Sequence, residues 1–593
     1  MNYYILKDIK LGYNYKTDIQ SRTEEGAVNH KPLPIGIDNF EKLITRDYYF
    51  IDKTLLIKDL LDNKADVNLF TRPRRFGKTL NMSMLQYFFE DERNRNNGDK
   101  KDNKYLFDGM KILNEGEKYT SHMGQYPVIN LSLKSAKQPT FELAYSCLKE
   151  KIIDEFKRHR YILNSEMSSD DKLRYESILN NVEDEKLYVT SLEFLSRCLE
   201  EYFNKKVIIL IDEYDVPLEN SFFEGFYKEM VSFLRSIFES ALKTNPSLEF
   251  AVITGCLRIS KESIFTGLNN LEIISILNKS YDEYFGFTPQ EVKKICKDYN
   301  IENKYELIRE WYNGYIFGDA NVYNPWSVVR FVKDLGFDIN EYPSSYWANT
   351  SSNSIVKSLI DRADDETKAE IEMLIEGKTI EKPVHEDITY DEIYDSMDNL
   401  YNFMFFTGYF KKVNERVDEK TKEKYVELKI PNEEVKYIFR TKILKWFEQN
   451  IKTRDFTKMH NAIIDGQSDI FEEELADVLL ETISFNDAYE NFYHGFVTGV
   501  LSNMKGYIVK SNRESGNGRG DIFIKPVSRR KTAIILELKV CKTFNELEQR
   551  ADDALKQIEE KKYEMELRDD GYNNIIKYGI SFFKKDCCVK VKE

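Results

Sequence analysis

"LFTRPRRFGKTL", Leu69 to Leu80, decides how this chain folds. It closes on Gly77-Lys78-Thr79, the end of the phosphate-loop pattern G-x-x-x-x-G-K-[ST]. The residues before it, "VNLF", read as a short buried strand, and "LNMSMLQYFFED" after it spaces apolar residues as a helix does. Strand, turn and helix in that order are the context a nucleotide loop requires. N–H groups at the helix start would hold phosphate oxygens, Lys78 would reach the β- and γ-phosphates, and Thr79 would ligate Mg²⁺. One residue departs from the pattern: Arg72 stands where the first glycine belongs. Arginine lacks glycine's tolerance for positive φ, so the loop is expected to turn differently. Arg74 and Arg75 add charge for the phosphates, and Phe76 and Gly77 complete the loop expected to contact them.

The other half of such a site lies downstream. "KKVIILIDEYD" is an apolar run ending in acids, so Asp212 is expected to hold the Mg²⁺ shell and Glu213 to polarise the attacking water. "LEFAVITGCLRIS" ends a further run, which makes Thr254 a candidate γ-phosphate sensor, with Arg258 one helical turn beyond. Uniformly apolar strands separated by amphipathic helices indicate a parallel sheet covered on both faces. The reading is an α/β domain over 32–285, preceded by a polar arm over 1–31.

Residues 286–480 read as a helical, aromatic-rich middle. Within it, "GYFKKVNERVDEKTKEKYVELKIPNEEVKYIF" reads as two strands around a charged loop and then a helix, compatible with a winged helix. From 481 to 593 the pattern is helix, strand, glycine-rich turn, strand, strand, helix, strand: a separate small α/β domain. Here "GRGDIFI" places Asp521 at the start of one strand and "ILELKV" puts Glu537 and Lys539 at the end of the next. Residues two apart on a strand share a face, so Glu537 and Lys539 point together. Two carboxylates and a backbone carbonyl make an oxygen site for Mg²⁺, and a lysine beside it can orient water. That set suits phosphodiester hydrolysis. Glu490, on the preceding helix, is a further candidate acid, and Gln557, on the following one, a candidate contact to the scissile phosphate or the lysine.

Composition narrows the partners. The 593 residues carry a formal net charge of −15, which argues against a chain coated in nucleic acid. Yet Lys505 to Lys542 holds ten Lys/Arg against three Asp/Glu, a local +7 where a nucleic-acid backbone would be held, DNA more readily than RNA. A solvated basic loop is the alternative. The seven cysteines and six histidines are dispersed without zinc spacing. No apolar run approaches the roughly 20 residues that span a bilayer. The start lacks a secretory pattern, so a cytoplasmic location without membrane contact is the default expectation.

With both constellations in place, the chain resembles bacterial AAA-ATPase-like proteins with a C-terminal PD-(D/E)XK nuclease-superfamily domain. The resemblance rests on "LPIGIDNFEKL", "RPRRFGKTLNMSML", "LIDEYDVPL", "EWYNGYIFG", "YNPWSVV", "YHGFVTGVL", "GRGDIFI", "ILELKV" and "YGISFFKK". It implies a P-loop NTPase of AAA+ or STAND-like class and a restriction-endonuclease-like tail using ATP and Mg²⁺. It also implies that Arg-Pro-Arg-Arg-Phe-Gly-Lys-Thr is the family's usual loop. The leading expectation is an ATP-regulated, Mg²⁺-dependent nuclease; the alternative is a signalling ATPase switch whose tail binds without cutting. A part in phage defence or mobile-element biology is analogy alone. Such modules often assemble, so a homo-oligomer with Arg258 or Arg74 acting across a boundary stays open.

Overall fold

The computed structural model describes residues 30–592 apart from 244, 258–263, 266–268, 348–353, 387–388, 452–454, 482–489, 503 and 516–517. The arm before residue 30 and Arg258 lie outside the described residues.

The first sheet is parallel, with strands β1 (Val67–Thr71), β2 (Val128–Ser132), β3 (Val207–Asp212), β4 (Leu248–Gly255) and β5 (Leu271–Ile274) in the order β2-β3-β4-β1-β5. Strands β1 and β3 are buried along their whole length, as the continuous apolar runs require when helices cover both faces. The order puts β4 between the phosphate loop after β1 and the acids at the end of β3. Phe70 pairs with Thr254, and Ile211 with Ile253, so Thr254, Asp212 and the loop leave the sheet at one level. In an open parallel sheet, ligands bind at that carboxyl edge. Strand β5 has no apolar run of its own: it is four residues long and includes an exposed glutamate, Glu272.

The middle opens with the helices Pro289–Asp298 and Tyr305–Tyr312, then a two-stranded ribbon, β6 (Tyr315–Phe317) and β7 (Ala320–Val322), followed by the helix Pro325–Leu335. The expected hairpin is β9 (Lys411–Val417) and β10 (Lys424–Lys429), and a third strand, β8 (Ile380–Pro383), pairs with β10. The helix Asp365–Ile375, β8, a turn, the helix Met397–Phe406 and the hairpin follow each other in winged-helix order. Leu400 to Phe406 are all buried, so that second helix is packed on every side rather than offered to a groove.

The C-terminal sheet runs β11 (Tyr507–Ser515), β12 (Gly518–Pro526), β13 (Ala533–Val540), β14 (Ile575–Phe583) and β15 (Asp586–Lys592) in sequence order. β13 and β14 are parallel, joined through the helix Leu547–Glu560, and the other pairs are antiparallel. The sequence reading had one strand where β14 and β15 stand. The helices Thr457–Ile464 and Ser468–Glu481 pack with this sheet although they begin well before residue 481. Glu472 accepts a hydrogen bond from the Val589 N–H (2.6 Å), and the Tyr578 hydroxyl donates to the Ile463 carbonyl (2.9 Å).

Candidate nucleotide and nuclease sites

The loop after β1 turns at Arg75 (φ +72°) and Gly77 (φ +84°), and the helix Lys78–Phe89 begins directly after it. Arg72 does not adopt positive φ. The expected cost of an arginine in the glycine position therefore does not arise at residue 72, and the turn is made three residues later. Arg72 is instead fully buried. Its Nη1 donates to the Thr71 and Ile274 carbonyls (2.9 and 2.8 Å), and the guanidinium lies over the rings of Phe285 and Phe317. Burial pushes its pKa down to about 9.

The remaining loop side chains divide. Arg74 is ion-paired with Glu219 on the helix Val216–Glu224. Arg75 lies 4.5 Å over the ring of Trp326, at the start of the helix Pro325–Leu335. Phe76 is turned into the core against Tyr315 and Phe317, so only its backbone is left to face a phosphate. Lys78 Nζ donates to the Arg72 and Pro73 carbonyls (2.8 and 2.9 Å) and lies 3.6 Å from Cys256 Sγ.

Thr79, Asp212 and Thr254 converge. The Thr79 hydroxyl donates to Asp212 Oδ2 (2.7 Å), and the Thr254 hydroxyl donates to Asp212 Oδ1. Glu213 follows with φ +55°, and burial together with the Asp212 charge raises its pKa. Two residues not singled out from the sequence complete the setting. Asp215 is buried and accepts hydrogen bonds from the Cys256 and Leu257 N–H groups (2.7 and 3.3 Å), which ties the acidic loop to the end of β4. Glu219 holds Arg74. Both belong to "LIDEYDVPLE", and their acidic character was the only signal available.

In the C-terminal sheet, Asp521 is the fourth residue of β12 rather than its first, and the β12–β13 register begins at Ile522. Its Oδ2 accepts a hydrogen bond from the Leu538 N–H (2.8 Å). Glu537 and Lys539 share a face, with Lys539 Nζ 3.2 Å from Glu537 Oε1. Gln557 also donates to Glu537 Oε1, and lies 3.3 Å from the Tyr563 hydroxyl. It therefore serves the carboxylate directly. Glu537 Oε2 is buried without a hydrogen-bond partner. Burial and the neighbouring Asp521 charge push this carboxyl up to about 7, with Lys539 acting against them. Glu490 begins the helix Glu490–Leu501, and its side chain lies outside those described.

The basic stretch is not one surface. Lys525 is buried and paired with Glu566 and Asp570, and Lys539 is paired with Glu537. Arg529, Arg530 and Lys531 are exposed at the β12–β13 turn, the opposite end of those strands from Asp521 and Glu537.

These two sites fall in two matched regions. Residues 34–265 match the family described as predicted AAA-ATPase, and residues 488–592 the PD-(D/E)XK nuclease superfamily. The chain joins an AAA-ATPase-like domain to a PD-(D/E)XK nuclease-superfamily domain. The AAA-ATPase-like region contains both the phosphate loop and the Thr79–Asp212–Thr254 set; the PD-(D/E)XK region contains Asp521, Glu537 and Lys539. The chain is also similar to the uncharacterized protein in the vnfD 5′ region of Azotobacter chroococcum mcd 1, 26% identical over 341 residues. That alignment covers 56% of this chain and 57% of the relative, so the chain spans little more than half of the relative's length.

Among the described residues no group of three or more His, Cys, Asp or Glu side chains is gathered for a metal ion. A cation in the PD-(D/E)XK domain would rest on Asp521, Glu537 and a backbone carbonyl. The unpartnered Glu537 Oε2, buried beside a second carboxylate, fits that use, because a buried carboxylate oxygen is otherwise costly to leave unsatisfied. In the AAA-ATPase-like domain the same role would fall to Thr79 and Asp212. No helix among the described residues is long and apolar enough to cross a membrane.

Proposed function

We propose that this protein is an ATP-regulated, Mg²⁺-dependent nuclease that hydrolyses phosphodiester bonds in DNA, or alternatively RNA. The observation that carries the reading is the buried, unpartnered Oε2 of Glu537, a carboxylate whose Oε1 holds Lys539 and which lies within the field of the Asp521 charge. Magnesium held there would draw charge from the scissile phosphate. Asp521 and Glu537 would hold it, Lys539 would orient the attacking water, and Gln557 would fix the Glu537 carboxylate. Water adds to phosphorus as the P–O bond to the leaving group breaks. In the first domain, a bound nucleotide's phosphates would replace the Arg72 and Pro73 carbonyls as partners of Lys78, with Asp212 and Glu213 in the metal and water roles.

Cytoplasmic residence, assembly into a homo-oligomer and a place in phage defence or mobile-element biology belong to the same proposal. Asp521→Ala or Lys539→Ala is expected to abolish Mg²⁺-dependent plasmid nicking while ATP binding stays at the wild-type level. Lys78→Ala is expected to lose nucleotide binding. Purified protein that cuts no DNA or RNA with Mg²⁺ and ATP, yet turns over ATP, would favour the switch whose tail only binds.

A further inference from the structure

His494 lies one helical turn beyond Glu490 on the helix Glu490–Leu501, which packs against β11, β12 and β13. Its Nε2 is 3.1 Å from the Asp521 carbonyl oxygen. A carbonyl oxygen only accepts, so Nε2 carries the hydrogen and donates it. The position of this bond matters. The β12–β13 register stops at the pair Ile522–Leu536, so Asp521 stands just past the last ladder pair with β13. Where the ladder ends, His494 grips the backbone of Asp521 from the helix, and the Leu538 N–H grips its carboxylate from β13. Asp521 is thus held at its backbone carbonyl and at its carboxylate, whose charge acts on Glu537.

We propose that His494 is a positioning residue: its hydrogen bond to the Asp521 carbonyl sets the Asp521 carboxylate for divalent-cation binding. The inference rests on the nuclease reading of that site. Groups that orient a metal ligand from behind typically change metal affinity by about 10–100-fold when removed.

The test measures Mn²⁺ affinity of the full-length, nucleotide-free protein by electron paramagnetic resonance of free Mn²⁺. Asp521→Ala defines the binding that belongs to other sites. His494→Leu is expected to weaken the Asp521-dependent binding about tenfold. His494→Gln, whose amide hydrogen can reach the same carbonyl, is expected to restore most of it. Should His494→Leu not fold, His494→Asn, with an amide too short for the contact, carries the same expectation. Wild-type affinity in the leucine or asparagine variant overturns the proposal, as does a glutamine variant as weak as the leucine one. Equal Mn²⁺ binding by wild type and Asp521→Ala overturns the nuclease reading itself, and His494 with it.

Discussion

At the scale of single residues, the phosphate loop shows how a motif can be altered without being lost. The pattern places glycine at residue 72, and from the sequence its replacement by arginine reads as a changed turn. The left-handed positions are in fact Arg75 and Gly77, so residue 72 has no need of glycine's freedom. What the sequence could not disclose is where the Arg72 side chain goes, because that depends on β5, Phe285 and Phe317, which lie some 200 residues on. Arg75, in turn, holds a left-handed φ that costs a non-glycine residue roughly 1 kcal/mol, and its stack on Trp326 is an interaction of about the same size. These contacts predict that Arg72→Gly, the change that restores the motif, damages the protein. It removes two hydrogen bonds to carbonyls and leaves a cavity beneath the loop, an expected loss of roughly 3 kcal/mol or more. Urea unfolding of the variant checks this, and a midpoint at or above the wild-type value would refute it. The catalytic candidates were more legible, since Glu537-x-Lys539 needs only strand periodicity to be placed. His494 was not, because nothing local marks a histidine that reaches a carbonyl 27 residues away.

At the scale of elements, the unit formed by the helix Met397–Phe406 and the β8–β10–β9 sheet contacts the phosphate loop directly. Gly408, just after the helix Met397–Phe406, has φ +95°, and a Cβ there would come within 3.1 and 3.3 Å of the Pro73 Cβ and Cγ. From the turn before that helix, Tyr390 packs against Phe222 on the helix that also carries Glu219. Pro73 and the Arg74–Glu219 pair are therefore held on one side by this unit. The β9–β10 hairpin was readable, because a charged loop between alternating strands has few other uses. Its pairing with β8 and the seat of Gly408 on the phosphate loop were not, because both depend on tertiary contacts. Gly408→Ala is expected to destabilise the protein by about 1–3 kcal/mol through the left-handed φ and the Pro73 clash together. It is also expected to weaken binding of a fluorescent ATP analogue. Gly377→Ala separates the two causes, since Gly377 also has a positive φ (+83°) but its nearest neighbour stands 4.0 Å away. If both variants bind nucleotide equally, the seat of the unit on the loop has no bearing on nucleotide affinity.

At the scale of the whole molecule, the C-terminal domain is tied to the middle by part-buried polar contacts that composition does not reveal. His460 Nε2 lies 2.8 Å from the Val500 carbonyl, and Lys585 pairs with Glu372, so helices before residue 481 hold the C-terminal domain from outside its matched span. Within the middle itself, Glu434 is the most consequential buried group. It is fully buried on the helix Glu433–Ile451, with the Ser327 Oγ 2.9 Å from both its oxygens and the Trp347 N–H donating to Oε1 at 2.9 Å. One hydroxyl hydrogen cannot serve both oxygens, so a protonated Glu434 can return a hydrogen bond to Ser327. Burial raises its carboxyl from the ordinary 4.5 to about 7, against the opposing hydrogen bonds from Trp347 and Ser327. Below pH 4.5 the folded and unfolded chains both hold this proton. Between 4.5 and 7 only the folded chain does, so unfolding releases a proton and stability falls as pH rises. The full span is worth on the order of 3 kcal/mol, at 1.36 kcal/mol for each pKa unit. Glu537 titrates in the same window and direction, so the contribution of Glu434 is read as the difference from a variant. Glu434→Gln keeps the size of the side chain and one acceptor but removes the titration. Urea midpoints at pH 5 and pH 8 are expected to draw together in that variant, with its gain over wild type appearing at pH 8. An undiminished slope would place the pH dependence elsewhere in the molecule.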